Sequence, residues 1–172
     1  MSKGSDIYRK DILDSELYVK LVRTALESKA FQVIVPETLI FKKWRELDLY
    51  SDKGDIYCEE VGIVEVKSST RYTYNSLERP DCPPRPALSA KLTVDKREAK
   101  GIHPAWYAVV SRETHNIIWV NYRKYKQHRG IGQMWDDEGH PFDVYNLEVC
   151  FWQETQAALK EMEHEYNLCR KS

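Results

Sequence analysis

Gly54-Asp55-Ile56-Tyr57-Cys58-Glu59-Glu60-Val61-Gly62-Ile63-Val64-Glu65-Val66-Lys67 is the stretch from which the fold follows. Two extended runs flank Val61-Gly62, each bounded by turn-forming residues, and together they read as a β-hairpin. Side chains alternate along a strand, so Glu65 and Lys67 project together while Val64 and Val66 pack behind them. If the hairpin pairs around the Gly62 turn, Asp55 comes across from the end of the second strand, near Glu65 and Lys67. Hard divalent ions such as Mg²⁺ prefer oxygen ligands and take one or two carboxylates from a protein, a role that suits Asp55 and Glu65. Such an ion acidifies a bound water and stabilises charge developing on a phosphate, and the Lys67 ammonium is placed to assist. The chemistry these residues lead us to expect is phosphodiester hydrolysis.

The same residues resemble a known family, the PD-(D/E)xK nucleases of restriction-endonuclease-like fold, which include Holliday-junction resolvases and some homing endonucleases. The matching positions are Gly54-Asp55, then Glu65-Val66-Lys67 followed by Ser68 and Ser69. The resemblance implies that Asp55 and Glu65 bind the metal together with the carbonyl of Val66, that Mn²⁺ substitutes for Mg²⁺, and that Lys67 assists the attacking water. Gly54 stands where the family motif has Pro.

Two expected helices extend the likeness. The first covers residues 13 to 29, with Leu17, Leu21, Val22, Ala25 and Leu26 at helical spacing and Asp14 or Ser15 as N-cap. In the family a helix at this place often supplies an acid, which here is Glu16. The second covers residues 89 to 100 and ends at Gly101. Residues 105 to 110 and 116 to 120 then read as two strands. The resemblance spans about residues 13 to 122 and implies an α/β fold: an αβββαβ core with a mixed central sheet flanked by helices. A C-terminal extension, about residues 123 to 172, adds a strand near residues 144 to 151 and an amphipathic helix from Glu154 to about Leu168.

A surface hairpin can carry the same acids and lysine as a solvated ion pair. The apolar residues Val61, Ile63, Val64 and Val66 argue otherwise, since a charged pair on a largely buried strand is costly unless it serves a site.

The chain has 172 residues, 42% hydrophobic and 31% charged, which suits one globular domain. The N-terminal residues lack an apolar signal core, and no apolar run approaches the roughly 18 residues of a membrane span. A cytoplasmic protein without a membrane partner is expected. Cys58, Cys82, Cys150 and Cys169 form no CxxC pair, and none of the five histidines stands at zinc-ligand spacing. No GxxxxGK phosphate loop is present, which argues against ATP-driven action.

The net charge of −1 hides a polarised layout. Residues 85 to 129 hold ten Lys or Arg against three acids, whereas residues 136 to 172 hold nine acids against three bases. The basic segment follows the expected metal site directly, so DNA is the expected partner. Ser68, Arg71, Lys96, Arg97 and Lys100 are candidate contacts to its backbone, with Arg123 to Arg129 beyond them. The segment from Ser69 to Pro86 reads as a long loop mixing Arg and Tyr with prolines, and residues 130 to 141 read as a second irregular stretch. The expected function is a metal-dependent DNA endonuclease, working as a homodimer or higher homo-oligomer if it cuts both strands of a duplex. The alternatives are a catalytically inactive nucleic-acid-binding module of the same fold and a dimeric interaction protein joined through the acidic C-terminal helix.

Overall fold

The hairpin forms as its alternation requires. β2 (Ile56–Cys58) and β3 (Gly62–Ser69) pair antiparallel with Ile56 opposite Val64 and Cys58 opposite Gly62. The turn between them needs a residue in the left-handed region, and Gly62 supplies it with φ of +99°. A Cβ on Gly62 would stand 2.8 Å from Arg123 Nη2, which donates to the Val61 carbonyl at 3.0 Å. Glu60 in the turn accepts from the Gln32 N–H at 2.9 Å and from Cys58 Sγ at 3.3 Å. Burial and that neighbouring carboxylate push the Cys58 thiol up to about 12, leaving an inert structural cysteine.

The computed structural model of the chain describes residues 3–35, 56–69, 85–136 and 138–172, with side chains described from Ser15 onward. Helix α1 (Lys3–Glu27) precedes β1 (Val33–Ile34), β2 and β3. β4 (Ala87–Ala90) leads straight into α2 (Lys91–Ala99), and β5 (Trp106–Ser111) and β6 (Ile117–Asn121) follow. Beyond the short helix α3 (Tyr122–Tyr125) come β7 (Gly130–Trp135), β8 (Pro141–Asn146), β9 (Trp152–Glu154) and α4 (Thr155–Lys171). The fold is mixed α/β. Its main sheet runs β1-β2-β3-β5-β6-β9, parallel only between β3 and β5, and a second sheet runs β4-β8-β7. Parallel neighbours need a crossover connection, and α2 provides it.

Both faces of the main sheet are covered, which is why all six residues of β5 are buried. On one face Val64, Val66, Trp106, Ala108 and Trp119 meet Val22 and Leu26 of α1 and Ala158, Leu159 and Met162 of α4. On the other face Tyr107, Val109, Ile118 and Val120 meet Val94 of α2, Tyr145 and Leu147. Alternation along β3 therefore sends Glu65 and Lys67 toward α2 and the second sheet. α2 ends in a Schellman arrangement: Ile102 N–H donates to the Arg97 carbonyl at 3.0 Å and Gly101 N–H to the Glu98 carbonyl at 3.0 Å, with Gly101 at φ +79°.

The structure departs from the sequence reading at four places. Ser89 and Ala90, read as the start of the second helix, pair with β8 as the end of β4, so α2 begins at Lys91. α1 starts at Lys3, so Asp14 and Ser15 lie inside the helix and do not cap it. Residues 130–135, read as irregular, form β7, whose glycines clear space for neighbours and do not mark turns. A Cβ on Gly130 would meet Arg85 Nη2 at 2.7 Å, and one on Gly132 would meet Asn146 Nδ2 at 2.8 Å. The single strand expected over residues 144 to 151 is split, because the chain leaves the second sheet at Asn146 and joins the main sheet at Trp152. The indole N–H of Trp152 donates to the Leu147 carbonyl at 3.2 Å and braces that corner. The loop expected from Ser69 to Pro86 lies, apart from its ends, outside the described residues. Among the described residues no helix is long and apolar enough to cross a membrane.

Gly62→Ala forces a β-carbon into a left-handed turn and against Arg123. The variant is expected to lose about 1–3 kcal/mol of stability, read as a lower denaturant midpoint at unchanged slope.

Candidate active site and its cleft

Glu65 and Lys67 come together within the parallel pair, with Glu65 beside Tyr107 and Lys67, nearer the carboxyl end, beside Val109 in register. The Glu65 side chain is 0% exposed, the Lys67 side chain is 34% exposed, and their Nζ and Oε2 atoms lie 3.8 Å apart. Arg97 of α2 meets Glu65, its Nη1 donating to Glu65 Oε1. A buried carboxylate is tolerable because this guanidinium meets it at close range. Arg97, expected to face a phosphate backbone, is thus turned inward from α2 alongside Val94. Tyr107 lies beside this pair; its phenol is pushed well above the usual range by burial first and by the Glu65 charge second.

The next residue of α2 anchors a second network. Glu98 accepts from Arg129 Nη1 at 2.9 Å and from the Tyr122 hydroxyl at 3.1 Å, and Lys126 Nζ lies 2.8 Å away. Burial alone would raise the Glu98 carboxyl, but the hydrogen bonds from Lys126 and Arg129 overcome it and hold the group below its ordinary 4.5. Tyr107 and Tyr122 meet edge to face at 5.1 Å. Asp95, one turn earlier, accepts from the Tyr145 hydroxyl at 2.7 Å and pairs with Lys91 at 2.6 Å. The Arg129 guanidinium lies over the Tyr145 ring at 3.9 Å. α2 therefore joins the main sheet to the second one through polar contacts as well as through Val94.

Lys67 opens onto a cleft of about 680 Å³ between the two sheets. Its lining among the described residues includes the cations Lys67, Arg85 and Arg112 and no carboxylate. Arg112 stands where β5 ends: its N–H donates to the Ser69 carbonyl at 3.0 Å and its Nε to Ser68 Oγ at 3.0 Å. Arg85 donates from Nε to Asn146 Oδ1 at 2.8 Å and pairs through Nη1 with Glu148 at 2.8 Å, just beyond the lining.

Of the other expected site residues, Ser68 lies on the cleft wall, and Lys96 and Lys100 are exposed on α2. Glu16 is half-buried on α1, against the face opposite Glu65, and Tyr18 one half-turn on meets the His115 ring at 6.3 Å. Asp55 and Arg71 lie outside the described residues; the described pairing of the hairpin stops at Ile56 opposite Val64. Among the described residues no three His, Cys, Asp or Glu side chains gather as a metal cluster. Glu65 has the oxygen chemistry that a hard divalent ion takes, but one carboxylate already met by Arg97 is not a complete donor set. Arg112 and Arg85 went unmarked as site residues in the sequence. The available signal was position, since Arg112 directly follows the parallel strand, where α/β sheets carry their ligands.

Comparisons of the chain with family models, with curated proteins and with solved structures return no significant match.

Removing Arg97 alone strands a buried charge, so Arg97→Met is expected to cost about 3–5 kcal/mol, most of it recovered when Glu65→Met is added. Chemical denaturation of the two variants and the wild type measures this. Glu98 gives a pH signature with a definite sign. Its folded value is depressed, so its contribution is present above the unfolded value near 4.5 and is lost as pH falls through the folded one. Glu98→Gln is expected to be less stable than wild type by about 1.5–3 kcal/mol near neutrality, with the gap closing in acid, as followed by urea unfolding across pH.

Proposed function

We propose that the chain is a metal-dependent DNA endonuclease with a restriction-endonuclease-like core. The observation that carries the proposal is the placement of Glu65 and Lys67 on one face of β3, with Nζ and Oε2 3.8 Å apart, Glu65 buried behind and Lys67 on the wall of a cleft that also holds Arg85 and Arg112. The order of elements adds support: a helix, an antiparallel hairpin, a crossover helix and a strand parallel to the second arm of the hairpin.

In this proposal Asp55, Glu65 and the Val66 carbonyl would hold Mg²⁺, with Mn²⁺ as substitute. Bound there, the ion would supply an acidified water and charge stabilisation for the phosphate. Arg97 fixes the Glu65 carboxylate against α2 and leaves Oε2 on the side of Lys67. The Lys67 ammonium, partly exposed at the cleft wall, orients a water and neutralises negative charge on a phosphate oxygen. The buried surroundings of Glu65 exclude competing water and strengthen these interactions. A second reading, an inactive nucleic-acid-binding module of the same fold, draws support from the Arg97–Glu65 pair, which engages Oε1 of the carboxylate within the fold.

Incubating the protein with supercoiled plasmid in Mg²⁺ separates the two. Cleavage by the wild type, reduced about 10²–10³-fold in Lys67→Ala while DNA binding falls less than about tenfold, is the expected result; binding without any cleavage in Mg²⁺ or Mn²⁺ would favour the inactive module. Linear product appearing together with nicked product would report paired active sites.

A further inference from the structure

The cleft has two unlike walls. Lys67 and Arg112 place cations on the main-sheet side, while Met134 and Phe142, paired across β7 and β8, present apolar surface on the other, which also carries Arg85 against Gly130 and Asn146. Phe142 is 38% exposed although it lies at the cleft. The hollow is built into the backbone. Gly130 and Gly132 lack the β-carbons that would collide with Arg85 and Asn146 at 2.7 and 2.8 Å, so the Arg85 guanidinium lies across β7 and reaches the cleft. Asn146 and Glu148 hold it there.

A cationic wall alone suits any phosphate backbone. An exposed aromatic ring facing it across a narrow hollow suits a nucleotide whose base is out of the helix, because a base offers its face for stacking only when unpaired. The volume, about 680 Å³, falls within the range of small-molecule pockets, roughly 300–1,000 Å³, and takes a few nucleotide groups but not a double helix.

We infer that the cleft between the two sheets is a groove for a single DNA strand, with successive phosphates on Arg112 and Arg85 and an unpaired base stacked on Phe142. The inference rests on the nuclease proposal for where the cut falls, and it narrows the substrate to DNA carrying an unpaired segment. The second sheet is then the device that selects the substrate, since β4, β7 and β8 build the aromatic wall.

Fluorescence anisotropy with a labelled single strand and a duplex of the same length, in EDTA, tests this without any cleavage. The single strand is expected to bind at least about tenfold more tightly. Arg112→Gln should flatten the dependence of log affinity on log salt by about 0.7, the value for one phosphate on a single strand. Phe142→Leu keeps apolar volume but loses the ring, and should weaken single-strand binding between about fivefold and about 150-fold at unchanged salt slope, whereas Phe142→Tyr should bind as wild type does. Thermal melting verifies that each variant is folded. Equal or tighter binding of duplex, or wild-type binding by Phe142→Leu, overturns the inference. A protein that cuts plasmid in Mg²⁺ yet prefers duplex loses this groove and keeps the nuclease proposal; one that shows these binding signatures without cutting does the reverse.

Discussion

The contact between Glu65 and Arg97 is the constraint around which the rest of the molecule is arranged. A carboxylate with no exposed surface sits in the middle of a parallel strand pair, and such a charge is destabilising unless an opposite charge meets it at hydrogen-bond range. Among the described residues the crossover helix supplies the buried partner, Arg97, and the pair constrains the rotation of α2 about its axis. With Arg97 pointing down, Glu98 is turned toward Tyr122, Lys126 and Arg129, and Asp95 toward Tyr145. The second sheet therefore takes its position from α2, and the cleft takes its shape from both.

The parts of this fold that were legible in the sequence are those fixed by short-range periodicity. The Glu65-x-Lys67 alternation on an apolar strand gave the shared face, Gly62 gave the turn, and Gly101 gave the end of α2. The two apolar runs after α2 gave β5 and β6. What periodicity could not give was the direction in which a helical cation points. Arg97 carries the same charge as Lys96 and differs only by a rotation of about 100° about the helix, and the partner that draws it inward lies 32 residues away in the chain. β7 stayed hidden for another reason: its glycines respond to side chains from β8 and from residue 85, which are remote in sequence.

The polarised charge of the chain has a structural meaning that differs from a uniform basic face. Much of the basic middle segment is spent on internal partners. Lys91 pairs with Asp95, Lys124 with Glu161, Lys126 and Arg129 with Glu98, and Arg85 with Glu148. Glu148 and Glu161 come from the acidic C-terminal part, whereas Asp95 and Glu98 belong to the basic segment itself. The exposed pairs contribute little individually to stability, and the largely buried Glu98 contributes more. At the cleft Lys67, Arg85 and Arg112 converge on one hollow with no carboxylate in its described lining, while Glu65 and Glu148, which pair with Lys67 and Arg85, stand behind it.

The wall carrying Phe142 is assembled from distant pieces of chain. β4 pairs with β8, so residues 87–90 are matched with residues 144–146, and α2, β5, β6 and β7 are threaded between them. Closing so long a segment carries an entropic cost that local contacts do not repay, and pairings of this kind form late. During synthesis the β2–β3 hairpin is available long before the strands that face it. The cleft therefore cannot be complete until the chain has emerged past Asn146.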